Sequence, residues 1–104
     1  MIPENQCGLS HSSQEKMIQV FSKHSEIEQV ILYGSRAKGN FKIGSDIDLS
    51  VHSSTMSLPQ LFQIEEEIDE LYLPYKVDIS LFRLIDNPQL KEHIQRVGVS
   101  FYKK

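Results

Sequence analysis

Thiols are almost absent from this sequence. Cys7 is the only cysteine among 104 residues, which excludes an internal disulfide and any thiolate-built zinc site. No clustered base or helix start near Cys7 would lower its pKa, so it reads as incidental. Long apolar runs are missing too: no stretch approaches the roughly 20 residues that cross a bilayer as a helix. Met1 to Ser10 has neither the basic start nor the apolar stretch of a secretory signal. Export is not expected, and a reducing cytoplasm is the compartment that fits. Basic residues are in the minority, 11 Lys and Arg against 14 Asp and Glu, for a net charge of -3. Gripping long nucleic acid by its phosphates needs a basic face, so that role is disfavoured. The four histidines, His11, His24, His52 and His93, lack the paired spacing of a metal site and read as solvated surface.

Repeats, low-complexity tracts and linkers are absent as well. With 39% hydrophobic and 24% charged residues, the chain has the composition of one ordinary globular domain rather than a disordered one. Residues 1–10 are expected to form a flexible N-terminal extension, and 11–104 a single domain. Ser12-Ser13-Gln14-Glu15 has a capping-box pattern ahead of Met17, Ile18 and Phe21, which predicts a helix from about Ser13 to Lys23. Ile27 to Tyr33 is a short apolar run of β-formers that stops at Gly34, as in a strand buried on both faces. A short helix is expected over Ser35 to Gly39. Ile47, Leu49 and Val51 alternate with Asp46, Asp48 and Ser50 to give a two-faced strand. Ser57-Leu58-Pro59-Gln60 starts a helix whose stripe of Leu61, Ile64, Ile68, Leu71 and Tyr72 ends before Pro74, with Glu65-Glu66-Glu67 on a solvated face. Lys76 to Phe82 alternates again. Asn87-Pro88 opens a last helix that Gly98 closes, and Val99 to Tyr102 fits an edge strand. The order describes one α/β (α+β) domain in which helices cover a mixed β-sheet.

The chemistry concentrates at two places. Asp46 and Asp48, one residue apart on a strand, stand about 6 to 7 Å apart at Cα and repel unless a cation lies between them. Magnesium is commonly held by one or two carboxylates together with substrate phosphates, so this pair suits a metal that arrives with a nucleotide. The Gly34-Ser35 turn ends an apolar strand and opens a helix, where free N–H groups and the positive dipole end attract phosphate. Ser35 adds a hydroxyl donor, and Arg36 and Lys38 add cationic ones. Alone, each feature also has a plain structural explanation, a solvated Asp-x-Asp or a helix cap.

Together, Gly34-Ser35-Arg36-Ala37-Lys38-Gly39 and Ser45-Asp46-Ile47-Asp48-Leu49 resemble the minimal nucleotidyltransferases of the DNA polymerase beta superfamily. Ten residues, 36 to 45, separate Ser35 from Asp46, and Asp78 in Lys76-Val77-Asp78-Ile79 stands where that family has its third carboxylate. The resemblance covers roughly Ile27 to Tyr102. It implies a polymerase beta-like nucleotidyltransferase fold, nucleotide binding by Gly34, Ser35, Arg36, Lys38 and Ser45, and catalytic and metal-binding roles for Asp46, Asp48 and Asp78. Lys38 stands where an arginine is common. The implied reaction is transfer of a nucleoside monophosphate, AMP from ATP, with one or two Mg2+ ions. Families of this kind often pair with a helical HEPN-type toxin as its antitoxin, which implies that partner, a homo- or hetero-oligomer, and a hydroxyl on the partner as acceptor. Two alternatives remain open: a degenerate module that neutralises a partner by masking it, and a transferase acting on a small molecule of aminoglycoside type. For the latter, so short a chain offers no obvious second pocket wall.

Overall fold

The computed structural model describes all 104 residues. In chain order the elements are α1 (Glu4–Cys7), α2 (His11–Ser22), β1 (Gln29–Tyr33), α3 (Ser35–Lys38), β2 (Ile47–His52), α4 (Leu58–Asp69), β3 (Val77–Leu81), a 3-10 turn (Phe82–Leu84), α5 (Pro88–Val97) and β4 (Val99–Lys103). The four strands form one sheet in the order β3-β2-β1-β4. β1 runs antiparallel to β2 and β4, whereas β2 and β3 are parallel, joined by the α4 crossover. The mixed sheet expected from the sequence is therefore present.

Alternation along the strands divides the sheet into two faces. Val30, Leu32, Leu49, Val51, Ile79 and Leu81 face a core completed by Met17 and Phe21 of α2 and by Leu61, Ile64 and Ile68 of α4. On the opposite face, Tyr33 pairs with Asp48 and Asp48 with Asp78, and paired residues share a face. α5 crosses that second face: the Tyr33 and His93 rings meet edge-on at 6.2 Å. Gly98 ends α5 with extended backbone, and a Cβ there would collide with the Ile94 carbonyl and Ile31 of β1. The glycine is what lets α5 lie close on β1.

Helix α4 begins as its sequence predicts. Ser57 Oγ accepts from the Gln60 N–H and the Gln60 side chain accepts from the Ser57 N–H at 2.8 Å, a complete capping box with Pro59 in the first turn. Helix α2 begins earlier than expected. Ser10 is its cap, accepting from the Ser13 N–H at 3.1 Å. Gln14, in the first turn, points inward, accepting from the Ile2 N–H at 3.0 Å and donating to the Ile2 and Leu9 carbonyls at 2.8 and 3.0 Å.

That inward glutamine corrects the expectation of a flexible N-terminal extension. Ile2, Cys7 and Leu9 are buried in the main core, and each buried aliphatic side chain stabilises by roughly 1.5 to 3 kcal/mol. The solvated reading of Glu65-Glu66-Glu67 and of His24 is corrected in part. Glu66 is exposed, but Glu67 meets His24 Nε2 at 2.8 Å, joining α4 to the end of α2.

Candidate functional site

β1 ends at Tyr33 and the chain turns through Gly34 into α3. Gly34 has φ +76° and ψ -155°, a region essentially restricted to glycine. A Cβ on Gly34 would strike the Asp48 carboxylate, so the turn's backbone lies directly against that side chain. Ser35, half-buried, is the first residue of α3, where the leading N–H groups of a helix lack intrahelical partners. Asp48 sits on β2 next to Asp78 in parallel register, and exposed Asp46 immediately precedes β2. Asp48 and Asp78 thus lie side by side on one face of β2 and β3, with the Gly34 turn, just past the end of β1, against Asp48 and with Asp46 at the rim.

The electrostatics follow from this crowding. Burial first, then the charges of Asp78 and Asp46, push the Asp48 carboxyl above its ordinary value, while His93 pulls it back. Burial also raises the Tyr33 phenol; the nearby Ser80 hydroxyl opposes that shift, and Asp48 and Asp78 add to it. Glu65 of α4 is raised by burial, then by Asp69 and Asp78, so acidic field extends from the site along the α4 side of β3.

The remaining sequence candidates are placed differently. Arg36 points away from the carboxylates and is buried. Its Nε and Nη2 donate to the Ser45 carbonyl at 3.1 and 2.9 Å and its Nη1 to the Cys7 carbonyl at 3.0 Å, with the guanidinium 5.3 and 5.0 Å from the Phe41 and Tyr75 ring centres. The guanidinium ties the N-terminal segment to the loop before β2. Ser45 Oγ accepts from the Lys42 N–H at 2.9 Å and shapes that same loop. Lys38 is exposed at the end of α3. Arg36 and Ser45, expected to bind nucleotide, are here committed to protein groups, and their contribution lies in holding Asp46 and the Gly34 turn in place.

Of two further side chains near the site, one differs from its sequence reading and one lies where strand alternation puts it. His93, expected on solvated surface, is half-buried over Tyr33 and close enough to act on Asp48. The signal was present: His93 stands three residues after Leu90 and four before Val97, on the inward stripe of α5. Ser80 shares the face of Asp78, and its buried Oγ has no hydrogen-bond partner.

No three acidic, histidine or cysteine side chains converge closely enough to form a complete metal cluster. The donor set still fits magnesium. Two repelling carboxylates, one with a raised pKa, are what a hard cation would relieve, and its remaining ligands come from phosphate and water. The glycine turn against Asp48 is the approach by which a triphosphate backbone would share that cation.

A mixed sheet that carries its carboxylates beside a glycine turn, one face covered by a crossover helix, defines a nucleotidyltransferase-type domain. The family model described as polymerase beta, nucleotidyltransferase, matches residues 15–104, and the chain belongs to that family. No curated protein sequence matches the chain significantly. Among solved structures it is similar to a toxin-antitoxin crystallised with AMP-PNP (TM-score 0.71, 18% identity, 88% of this chain and 73% of that one). It is also similar to a chain of the tri-AMPylated Shewanella oneidensis HEPN toxin in complex with MNT antitoxin (TM-score 0.67, 15% identity, 92% and 74%). These two speak for the fold. A protein provisionally described as a minimal nucleotidyltransferase is 26% identical, with TM-score 0.67 over 85% of this chain and 88% of that one.

Proposed function

We propose that this chain transfers AMP from ATP, with Mg2+, to a hydroxyl on a partner protein in the cytoplasm, and that the partner is a helical HEPN-type toxin for which it serves as antitoxin. The observation that carries this reading is the row made by the Gly34 turn, just past the end of β1, and by Asp48 and Asp78 on the adjacent strands β2 and β3. Its order supplies a phosphate-facing turn at one end and a free carboxylate at the other. Similarity to a chain of a HEPN toxin in complex with MNT antitoxin supports the choice of partner.

In this reaction the acceptor oxygen bonds to the α-phosphorus, the bond from that phosphorus to the pyrophosphate oxygen breaks, and the hydroxyl proton leaves to a base. The residues divide these tasks by position. Gly34 and Ser35 receive the phosphates through backbone and hydroxyl donors. Asp46, Asp48 and Asp78 would hold magnesium, which when bound neutralises the triphosphate and the charge on the attacking and leaving oxygens. Asp78, exposed at the far end of the row, accepts the proton at its carboxylate. Arg36, through Cys7 and Ser45, fixes the loop that presents Asp46.

Calorimetry with ATP, with and without Mg2+, tests nucleotide binding. The parent binds only with the metal, and Asp46→Asn with Asp48→Asn abolishes binding; equal affinity in the two proteins sinks the reading. Incubation with α-labelled ATP and the product of the adjacent reading frame then tests transfer. A protein that protects cells from that product without ever labelling it acts by masking instead.

A further inference from the structure

We propose that the acceptor segment docks as an added β-strand along the free edge of β3, in the trough between that edge and α4. The inference rests on the reading above, that the chain transfers a nucleotide to a protein hydroxyl. β3 ends the sheet and pairs only with β2. The Ile47 N–H donates to the Lys76 carbonyl at 2.8 Å, and a parallel ladder uses alternate residues of each strand. The backbone N–H and C=O groups of Val77 and Ile79 therefore point outward, unpaired with β2.

Protein edges are normally blunted by bulges, prolines or lysines. β4, the opposite edge strand, has such protection: its pairing with β1 is broken by an irregularity at Val30 and Ile31, and it ends in Lys103-Lys104. β3 has only Lys76 before its first residue. Beside it lie two cavities, of about 430 and 140 Å3, which share Ile68, Asp69 and Val77 and so form one trough between α4 and β3. The α4 wall of the trough is formed by Glu65, Ile68 and Asp69, and a helical stripe extends from it beyond the cavities. Leu58, Phe62, Glu65 and Asp69 follow at spacings of four, three and four, so they share one side of the helix. Leu58 and Phe62 are 45% and 53% exposed, and Tyr72, just beyond the helix, is 89% exposed.

Strand geometry turns this surface into a delivery site. A neighbouring strand lies about 4.8 Å away, and its side chains alternate between the two faces of the sheet. A residue of the added strand beside Asp78 projects onto the catalytic face next to that carboxylate, while its flanking residues project into the trough. Those flanking positions meet Ile68 and Val77 in the floor and Glu65 and Asp69 on the rim, so they are apolar and basic. The occupant is therefore an extended, basic and apolar peptide segment with a hydroxyl side chain at one intervening position. The side of approach agrees with the chemistry. Gly34 lies on the β1 side of Asp48 and Asp78 on the β3 side, and attacking and leaving oxygens are roughly in line across the phosphorus. Phosphates on the turn leave the β3 edge to the acceptor.

A synthetic decapeptide tests this, with lysine and valine alternating on one face and a single tyrosine on the other, incubated with the full chain, Mg2+ and α-labelled ATP. Label moves to the tyrosine. N-methylation of the alternate amides that meet β3 lowers transfer at least tenfold, whereas N-methylation of the other set is tolerated. Glu65→Lys with Asp69→Lys lowers transfer to the lysine peptide at least tenfold, restores it to a glutamate version, and leaves magnesium-ATP binding unchanged. Equal effects of the two methylation patterns, or indifference to charge reversal, overturn the docking mode. Failure to label either peptide by protein that still binds magnesium ATP also overturns it and leaves the nucleotide reading intact. Loss of magnesium-ATP binding by the parent removes both. Dimers in sedimentation that Glu65→Lys with Asp69→Lys dissociates would assign the edge to a second copy and overturn the proposal.

Discussion

Gly34 and Asp48 occupy each other's space: the side chain that glycine lacks is the volume filled by the Asp48 carboxylate, at a backbone conformation with φ +76°. Turn and carboxylate therefore form one unit, and neither moves alone. Gly34→Ala adds a residue strained at this φ and a Cβ in collision with Asp48. It is expected to destabilise the fold by roughly 1 to 3 kcal/mol and to lose magnesium-ATP binding as Asp48 is displaced. Urea denaturation and calorimetry on the same preparation check this. Ser35→Ala, which removes one hydroxyl, should weaken binding by only about 1 to 2 kcal/mol. Normal ATP binding by a folded Gly34→Ala protein would take the phosphate off this turn.

The same crowding makes the metal-free site a liability to the fold. Burial and the neighbouring aspartates raise the Asp48 pKa above its ordinary value of 3.8. A group with a raised folded pKa stabilises below its unfolded value and loses that contribution as pH rises through the folded one. At pH 7 ionised Asp48 therefore costs stability. Asp48→Asn is expected to raise the melting temperature in EDTA at pH 7, with the gain shrinking as pH falls toward 4. Adding Mg2+ and ATP should reverse the ranking, because only the parent gains from ligand. A variant less stable than the parent in EDTA at pH 7 contradicts this account of the site.

Arg36 supplies a contrasting case, a cation beside the Gly34 turn that faces away from it. Arg36→Ala leaves the Cys7 and Ser45 carbonyls without their donor and opens the gap between Phe41 and Tyr75. A loss of roughly 3 kcal/mol or more is expected. Arg36→Lys should recover little, since an ammonium cannot reproduce a fork that reaches two carbonyls. Hydrogen exchange should show residues 1–10 opening first. A stable Arg36→Ala protein with selectively weakened ATP binding would return the residue to the nucleotide.

Where sequence and structure agree, the signal was local. Alternation in Ile47 to Val51 and in Val77 to Leu81 placed Asp48 and Asp78 on a face opposite the core, and strand pairing put them on the same one. Ser57 and Gln60 are three residues apart, and their capping box needs nothing else. Where the two differ, the deciding contact is distant. Arg36 reaches residue 7 across 29 positions. Gln14 turns inward because Ile2 and Leu9 offer it three buried backbone partners. His24 finds Glu67 across 43 positions. Composition treats each of these as surface, and only the closed fold shows what it touches. The unprotected edge of β3 is likewise a property of strand order, which a crossover leaves open until the sheet is assembled.

Asp78 separates catalysis from masking. In the proposed mechanism Asp46 and Asp48, beside the Gly34 turn, hold a metal together with the triphosphate, whereas Asp78 lies one strand further out, exposed at the edge strand. Asp78→Asn keeps the size of the side chain and removes its charge and its proton affinity. Magnesium-ATP binding should stay within a few fold of the parent, while transfer to the partner falls by roughly two or more powers of ten, as expected where general-base or electrostatic help is lost. An interaction made only in the transition state lowers kcat and kcat/KM together, so single-turnover labelling at saturating ATP isolates the effect. The variant should also be slightly relieved of repulsion, because Asp78 is the largest of the charges that raise the Asp48 pKa. Partner binding should persist, since the fold and the trough beside β3 are unchanged. The decisive comparison is made in cells that express the partner. An Asp78→Asn protein that transfers no label yet protects as well as the parent shows that contact alone neutralises the partner, and transfer is then not its mode of action.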